Sequence, residues 1–201
     1  MISVVIQAGG KSVRMGSNKA LLPFLGRPLI QRVADRLAGL TDDLLVIAPA
    51  EPDLLALGFP VHPDLIPGAG PLGGLLTGLR FARHEAVAVV ACDMPFANAA
   101  LLTEELQILI ADNADVVLPV TADLAEPLHA LYRRSTCLPA VTAALAGGQR
   151  RLVDFHPAVR VIKMRESNTL EPAAFARSFL NLNTPQELAD AEQLAVSHPE
   201  W

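Results

Sequence analysis

An α/β fold, with a mostly parallel sheet covered by helices, is what this sequence predicts. Short apolar runs alternate with stretches of helical period along the chain, the pattern that parallel strands and their crossover helices leave. The first run, Ile2 to Ile6, passes straight into a glycine-rich turn before the next apolar stretch begins. With 201 residues, 51% of them hydrophobic, the chain can build one sizeable core and is short for two. A single domain over 1–196 is expected, with 197–201 as a fraying tail.

Taken in order, strands are expected at Ile2 to Ile6, Leu44 to Ala48, Val61 as a short one, Val87 to Ala91, Val116 to Val120, Leu128 to Tyr132 and Val159 to Lys163. Between them, Leu29 to Leu37, Leu72 to Arg83, Leu101 to Ala111 and Cys137 to Ala146 read as helices. The last helix is the best marked, because Thr184 offers an N-cap, Pro185 a first-turn proline and Glu187 the reciprocal cap. Leu188, Ala191, Leu194 and Ala195 give that helix its apolar face. The polar stretch Met164 to Glu171 reads as a loop, either beside a site or simply at the surface.

The formal net charge of −5 argues against a nucleic-acid or anionic-membrane partner, which would want a basic face. Any bound anion must therefore meet a local cluster of cations. No apolar run is long enough to span a bilayer, and no basic stretch precedes a long apolar one at the start, so a cytoplasmic location is expected. Cys92 and Cys137 lie far apart without a C-x-x-C, and the histidines lack metal-ligand spacing.

The local cluster is in residues 2 to 22, ISVVIQAGGKSVRMGSNKALL. Gly9, Gly10 and Gly16 let the backbone come close to a ligand, so that consecutive N–H groups face anionic oxygens. Lys11, Arg14 and Lys19 add full charges within the same stretch. The alternative is an exposed turn with solvated lysines, but a turn has no use for three clustered cations. Two better-known phosphate loops are excluded. Gly10-Lys11-Ser12 lacks the earlier Walker A glycine, whose place Val5 holds, and the adjacent Gly9 and Gly10 break the G-x-G-x-x-G spacing.

In open α/β sheets ligands sit beyond the carboxyl ends of the strands. Asp64 follows the short strand at Val61 and leads into Pro67-Gly68-Ala69-Gly70-Pro71-Leu72-Gly73-Gly74, which opens a helix near Leu72. That segment fits a ring or phosphate site and equally a tight loop. Asp93, in Ala91-Cys92-Asp93-Met94-Pro95, is a carboxylate delivered to the sheet edge. It suits Mg²⁺, which takes one or two carboxylates plus substrate phosphates, and it suits a turn cap as well. Asn181 and Asn183 flank an expected strand end before the last helix, either completing a metal or substrate shell or capping a turn.

Together these residues suit nucleotidyl transfer, in which the α-phosphorus of a nucleoside triphosphate is attacked and pyrophosphate leaves. Such chemistry asks mainly for positioning and charge neutralisation. Lys19, Arg14 and Asp93 are the candidate catalytic charges. No side-chain nucleophile is required, which accounts for the absence of a G-x-S-x-G elbow, a Cys–His couple and a glycosidase-type carboxylate pair.

The pattern Gly9-Gly10-x-Ser12-x-Arg14-Met15-Gly16-x-x-Lys19 resembles the MobA-type nucleotidyltransferases, the family of molybdenum cofactor guanylyltransferases. Gly70-Pro71-Leu72-Gly73-Gly74, Cys92-Asp93-Met94-Pro95, Glu126-Pro127-Leu128-His129-Ala130-Leu131-Tyr132 and Asn181-Leu182-Asn183-Thr184-Pro185 extend the resemblance over nearly the whole chain. It implies a Rossmann-like three-layer α/β/α sandwich of the nucleotide-diphospho-sugar transferase type. It also implies an enzyme that joins GMP from GTP to the phosphate of molybdopterin with Mg²⁺, releasing pyrophosphate, among proteins of molybdoenzyme maturation. By that similarity Gln7, Ala8, Gly9 and Gly10 meet the nucleotide, Lys19 its phosphates, Asp64 the nucleotide again and Asp93 the Mg²⁺. Lys11, Asn181 and Asn183 are then candidates for holding substrate.

Three departures from the family pattern bear on the site. Gln7 stands where the family usually has leucine, beside the expected base, Ala48 stands where some relatives carry an asparagine that touches the nucleotide, and Asn18 stands where some members have aspartate. Arg150 and Arg151, after Gly147-Gly148, suit either the pterin phosphate or an ordinary basic helix end. Three rival readings share these residues: a cytidylyltransferase, a sugar- or polyol-phosphate nucleotidyltransferase, and a nucleotide-binding adaptor without catalysis. The adaptor would be expected to have lost Asp93 or Lys19, and both are present.

Overall fold

The structure is a computed structural model and describes residues 1–9 and 18–198. Strand β1 (Ser3–Gln7) leads, beyond residue 17, to a 3-10 turn at Lys19–Leu21 and a small antiparallel hairpin, β2 (Pro23–Phe24) and β3 (Arg27–Pro28). Then follow α1 (Leu29–Leu37), β4 (Leu44–Ile47), α2 (Pro52–Leu55), β5 (Val61–His62), α3 (Gly70–Phe81) and β6 (Ala86–Ala91). The second half runs α4 (Ala99–Ala111), β7 (Val116–Thr121), β8 (Leu124–Ala125), β9 (His129–Arg133), α5 (Arg134–Ala146), β10 (Val161–Met164), α6 (Pro172–Arg177) and α7 (Pro185–Ser197).

The main sheet has the order β10-β7-β9-β6-β1-β4-β5, with β8 paired to β7. Strands β1, β4, β5 and β6 are mutually parallel, as are β7 and β10, and β9 runs antiparallel between β6 and β7. The reversal at β9 has a short-range cause. Residues 122–128 are too few for the dozen or so that a parallel crossover needs. Ala122 and Asp123, with φ of 44° and 66°, turn the chain in a two-residue hairpin instead, and the left-handed pair matches the strand twist.

Alternation along the strands divides the core into two apolar layers. Val4 and Ile6, with Ala88, Val90, Val117 and Leu131, face α1 and α4, while Val5, Val87, Val89, Val116 and Tyr132 face α3 and α5. This is the three-layer sandwich expected. A third cluster joins Phe24, Leu29 and Phe96 to Leu182, Ala191 and Ala195, so α7 packs onto the β2–β3 hairpin and the loop after β6.

Helix α1 has the bounds expected, and α7 carries the full capping box, with Thr184 Oγ1 accepting from the Glu187 N–H and Glu187 accepting in return. Several expectations need correcting: α4 begins at Ala99 rather than Leu101, α5 at Arg134 rather than Cys137, and β10 at Val161 rather than Val159. The strand expected at Leu128 to Tyr132 is β9, one residue later and antiparallel. Helix α3 begins at Gly70 rather than Leu72, because Gly70 and Pro71 form its first turn. The backbone around Asn181 and Asn183 is not a strand end but an irregular segment, held by the Leu182 N–H donating to the Asp93 carbonyl at 3.1 Å. Residues 199–201 of the expected tail lie outside the described residues.

Candidate active site

Strand β1 lies between β4 and β6, and the chain reverses its direction of travel across the sheet there: β4 and β5 add on one side, and α3 returns the chain to the other. The crevice at the carboxyl ends of β1 and β6 is therefore the topological switch point, where such sheets bind ligands. The register sets Gln7 opposite Ala91 on one side and Ile47 on the other, so Ala8, Gly9, Cys92 and Asp93 emerge together. The Cys92 N–H donates to the Gln7 carbonyl at 3.0 Å and the Ala8 N–H to Ile47 at 2.9 Å, which carries the pairing one residue past each strand.

Lys19, at the start of the 3-10 turn, reaches the Asp93 carboxylate with its ammonium and donates a second hydrogen bond to Asn183 Oδ1 at 3.0 Å. Both charged side chains are about 15% exposed, so the pair is partly desolvated, where an ion pair is stronger than at an open surface. Asp93 Oδ1 is buried, and no described residue donates to it. Asn183 thus joins the site, whereas the Asn181 amide donates to the Phe179 carbonyl at 3.2 Å and serves a turn.

On the other side of β1, Gly9 comes close to Asp64: a β-carbon added at Gly9 would lie 3.9 Å from Asp64 Oδ2. Burial pushes the Asp64 carboxyl above its ordinary range, and its Oδ1 has no described hydrogen-bond partner. Gln7 turns toward α3, where its amide donates to the Pro71 carbonyl at 3.3 Å and rests on Gly74. Gln7, Gly9, Asp64 and the opening turn of α3 therefore gather at the end of β1, and Lys19, Asp93 and Asn183 at the end of the neighbouring β6. Gly10, Lys11, Arg14 and Gly16 lie outside the described residues.

The donor set can be tested against a divalent ion. No group of three or more His, Cys, Asp or Glu suited to a metal occurs among the described residues, so no all-protein cage is present there. Asp93, with an unpartnered buried oxygen beside the Asn183 amide oxygen, fits a hard ion that takes most of its ligands from phosphate and water.

The Asn18 contacts have no counterpart in the sequence reading, whereas those of Arg150 follow one of its two alternatives, the basic helix end. Asn18 caps the 3-10 turn through its Oδ1, which accepts from the Ala20 N–H at 3.1 Å, and its Nδ2 donates to Glu51 Oε2 at 2.7 Å. An aspartate could cap the turn equally but would set a second carboxylate against Glu51, so the asparagine has a structural reason. Arg150 donates to the Leu145 carbonyl at the end of α5 and to the carbonyl of its neighbour Gln149, and its own carbonyl accepts from the Leu72 N–H at the start of α3. Arg151 pairs with Asp154. Both arginines are accounted for within their own corner of the fold.

A mostly parallel sheet with a glycine at its switch point defines an α/β domain of the nucleotide-binding type. Residues 4–161 match the family described as MobA-like NTP transferase domain, and the chain belongs to that family. A protein of Pelotomaculum thermopropionicum named "Probable molybdenum cofactor guanylyltransferase" is 37% identical over 95% of this chain and 92% of its own length. The molybdenum cofactor guanylyltransferase of Desulfosudis oleivorans is 34% identical over 95% of this chain and 94% of its own. Among solved structures, molybdopterin-guanine dinucleotide biosynthesis protein A from Archaeoglobus fulgidus shares the fold with a TM-score of 0.83, at 24% identity, covering 98% of this chain and all of that one.

Proposed function

We propose that this protein is a molybdenum cofactor guanylyltransferase, transferring GMP from GTP to the terminal phosphate of molybdopterin. The observation that carries the reading is the Lys19–Asp93–Asn183 cluster at the end of β6, on the strand next to the one that brings Gly9 against Asp64, in a chain whose relatives are named for this transfer. A phosphate oxygen of the acceptor attacks the α-phosphorus, the bond from that phosphorus to the β-bridging oxygen breaks, and pyrophosphate leaves. Charge is conserved through the step without a protein nucleophile.

In this reading Ala8 and Gly9 present backbone to the nucleotide, and Asp64, close to Gly9, accepts from it. Lys19 shares its ammonium between Asp93 and the incoming phosphates, with Asn183 keeping it pointed into the crevice. Lys11 and Arg14 add charge from the glycine turn. Asp93 is the residue that would hold Mg²⁺, whose role is to neutralise charge on the triphosphate as it breaks. No helix among the described residues is long and apolar enough to cross a membrane, and a cytoplasmic site of action beside molybdoenzyme-maturation proteins suits the substrates.

The test is pyrophosphate release from GTP, CTP and ATP in turn, with molybdopterin and Mg²⁺. Release with GTP alone is expected. Preference for CTP would make the protein a cytidylyltransferase, and nucleotide binding without turnover would make it an adaptor.

A further inference from the structure

His129 and Glu105 form a fully buried polar pair that the proposed chemistry does not use. Both are 0% exposed, one at the start of β9 and the other in the middle of α4. His129 Nδ1 lies 3.4 Å from Glu105 Oε1, and the opposite ring nitrogen, Nε2, accepts a hydrogen bond from the Asn98 backbone N–H at 3.2 Å. A nitrogen that accepts carries no proton, so the geometry assigns the ring hydrogen to Nδ1, facing the carboxyl group. Apolar side chains of the same volume would spare the desolvation of two polar groups but would leave the Asn98 N–H without its acceptor, so the histidine has a structural task and the carboxyl group beside it is what remains to be explained.

What the pair touches supplies a reason. Asn98 ends the loop that carries Asp93 and caps α4, its Oδ1 accepting from the N–H groups of Ala100 and Leu101. The same imidazole packs edge to face with Phe179, ring centroids 5.2 Å apart. From Phe179 the chain runs directly to Leu182, whose N–H donates to the Asp93 carbonyl, and to Asn183, which accepts from Lys19. One ring therefore braces both arms of the Lys19–Asp93–Asn183 cluster, through a nitrogen on one arm and a ring face on the other.

We propose that His129 is a positioning residue for the Asp93 and Asn183 arms of the site, and that Glu105 sets which ring nitrogen meets the Asp93 loop. The inference rests on the reading of Asp93 and Lys19 as working residues. Hydrogen-bonded partners that orient a charged site group typically matter by about 10- to 100-fold in activity or metal affinity.

The experiment compares His129→Phe, Glu105→Gln and Glu105→Leu with the wild type. His129→Phe keeps a ring against Phe179 but removes the acceptor for Asn98. It should lower kcat for guanylyl transfer by about 10- to 100-fold, with KM for GTP nearly unchanged, and weaken Mn²⁺ binding to the protein saturated with GTP in the absence of molybdopterin, read by electron paramagnetic resonance, by a similar factor. Glu105→Gln still offers an oxygen to Nδ1–H and should stay near wild type, whereas Glu105→Leu should follow His129→Phe. Ring-nitrogen NMR on the wild type should show His129 protonated at Nδ1 alone.

Three results would overturn the proposal: a His129→Phe protein that loses only thermal stability, a Glu105→Gln protein as impaired as Glu105→Leu, or a wild-type ring protonated at Nε2. If His129→Phe does not fold, the two Glu105 variants and the wild-type spectrum decide. Absence of guanylyl transfer by the wild type would remove the proposed function and leave the Mn²⁺ and NMR measurements to judge this pair separately.

Discussion

Gln7 lies against Gly74, so closely that a β-carbon at position 74 would come within 2.8 Å of Gln7 Oε1. One helical turn on, a β-carbon at Gly78 would sit 2.7 Å from Val5 Cγ1. The two glycines let α3 settle directly on β1, and the spacing matches because residues four apart on a helix share a face, as residues two apart on a strand do.

The two substitutions should differ because their neighbours differ in stiffness. Alanine gains up to about 1 kcal/mol over glycine inside a helix. Gly78→Ala meets a β-branched valine with little freedom, and overpacking of this kind should leave it destabilised by about 1–2 kcal/mol net. Gly74→Ala meets the far end of a flexible amide, should cost less than about 1 kcal/mol, and should be relieved by Gln7→Ala. Chemical denaturation of the four proteins checks this, and equal costs at 74 and 78 would contradict it.

Lys19→Ala should reduce guanylyl transfer by about 10² to 10³, the usual effect of removing one well-placed charge from a phosphate site. Asn183→Ala removes one hydrogen bond to the same ammonium and should cost about tenfold. A Lys19→Ala protein with near-normal turnover would strike Lys19 from the mechanism.

Glu105 should give the protein a distinctive dependence of stability on pH. Burial pushes its carboxyl up to about 7, with the adjacent His129 ring pulling down and the neighbouring Glu104 pushing up. Below the ordinary value of 4.5 the group is protonated in both folded and unfolded chains. Between 4.5 and about 7 only the folded protein keeps the proton, so this contribution to stability is lost as pH rises through that window. Glu105→Gln lacks the titration. Its stability relative to wild type should therefore rise across the window, and a difference independent of pH would refute this.

Glu104, one residue earlier, behaves in the opposite sense. Burial alone would raise it, but hydrogen bonds from the Ser167 hydroxyl, the Asn168 N–H, the Thr169 hydroxyl and the Asn168 amide hold its carboxyl below the usual range. The stability it confers is present above 4.5 and is lost as pH falls through the depressed value. Glu104→Ala should cost about 2–3 kcal/mol by leaving these donors unpaired. Amide exchange should quicken first at Asn168 and Leu170, and uniform loss of protection would mean that Glu104 does not clamp this segment.

The layered α/β architecture follows from local signals in the sequence, because hydrophobic period and capping are properties that each segment carries with it. The bounds of α1 and the capping box of α7 were legible for that reason, as were the strand-end carboxylates Asp64 and Asp93. The reversal at β9 has a local cause as well, since the span between Thr121 and His129 is shorter than a crossover requires. Relations between residues distant in the chain came from packing instead: Lys19 on Asp93, Asn183 rather than Asn181 beside them, Gln7 turned onto Gly74, and His129 set between Asn98 and Phe179. These depend on strand order and side-chain reach across the sheet edge. A one-dimensional pattern does not encode them, because the same residue types at the same spacings suit a cap, a brace or a ligand until packing brings a partner within hydrogen-bonding distance.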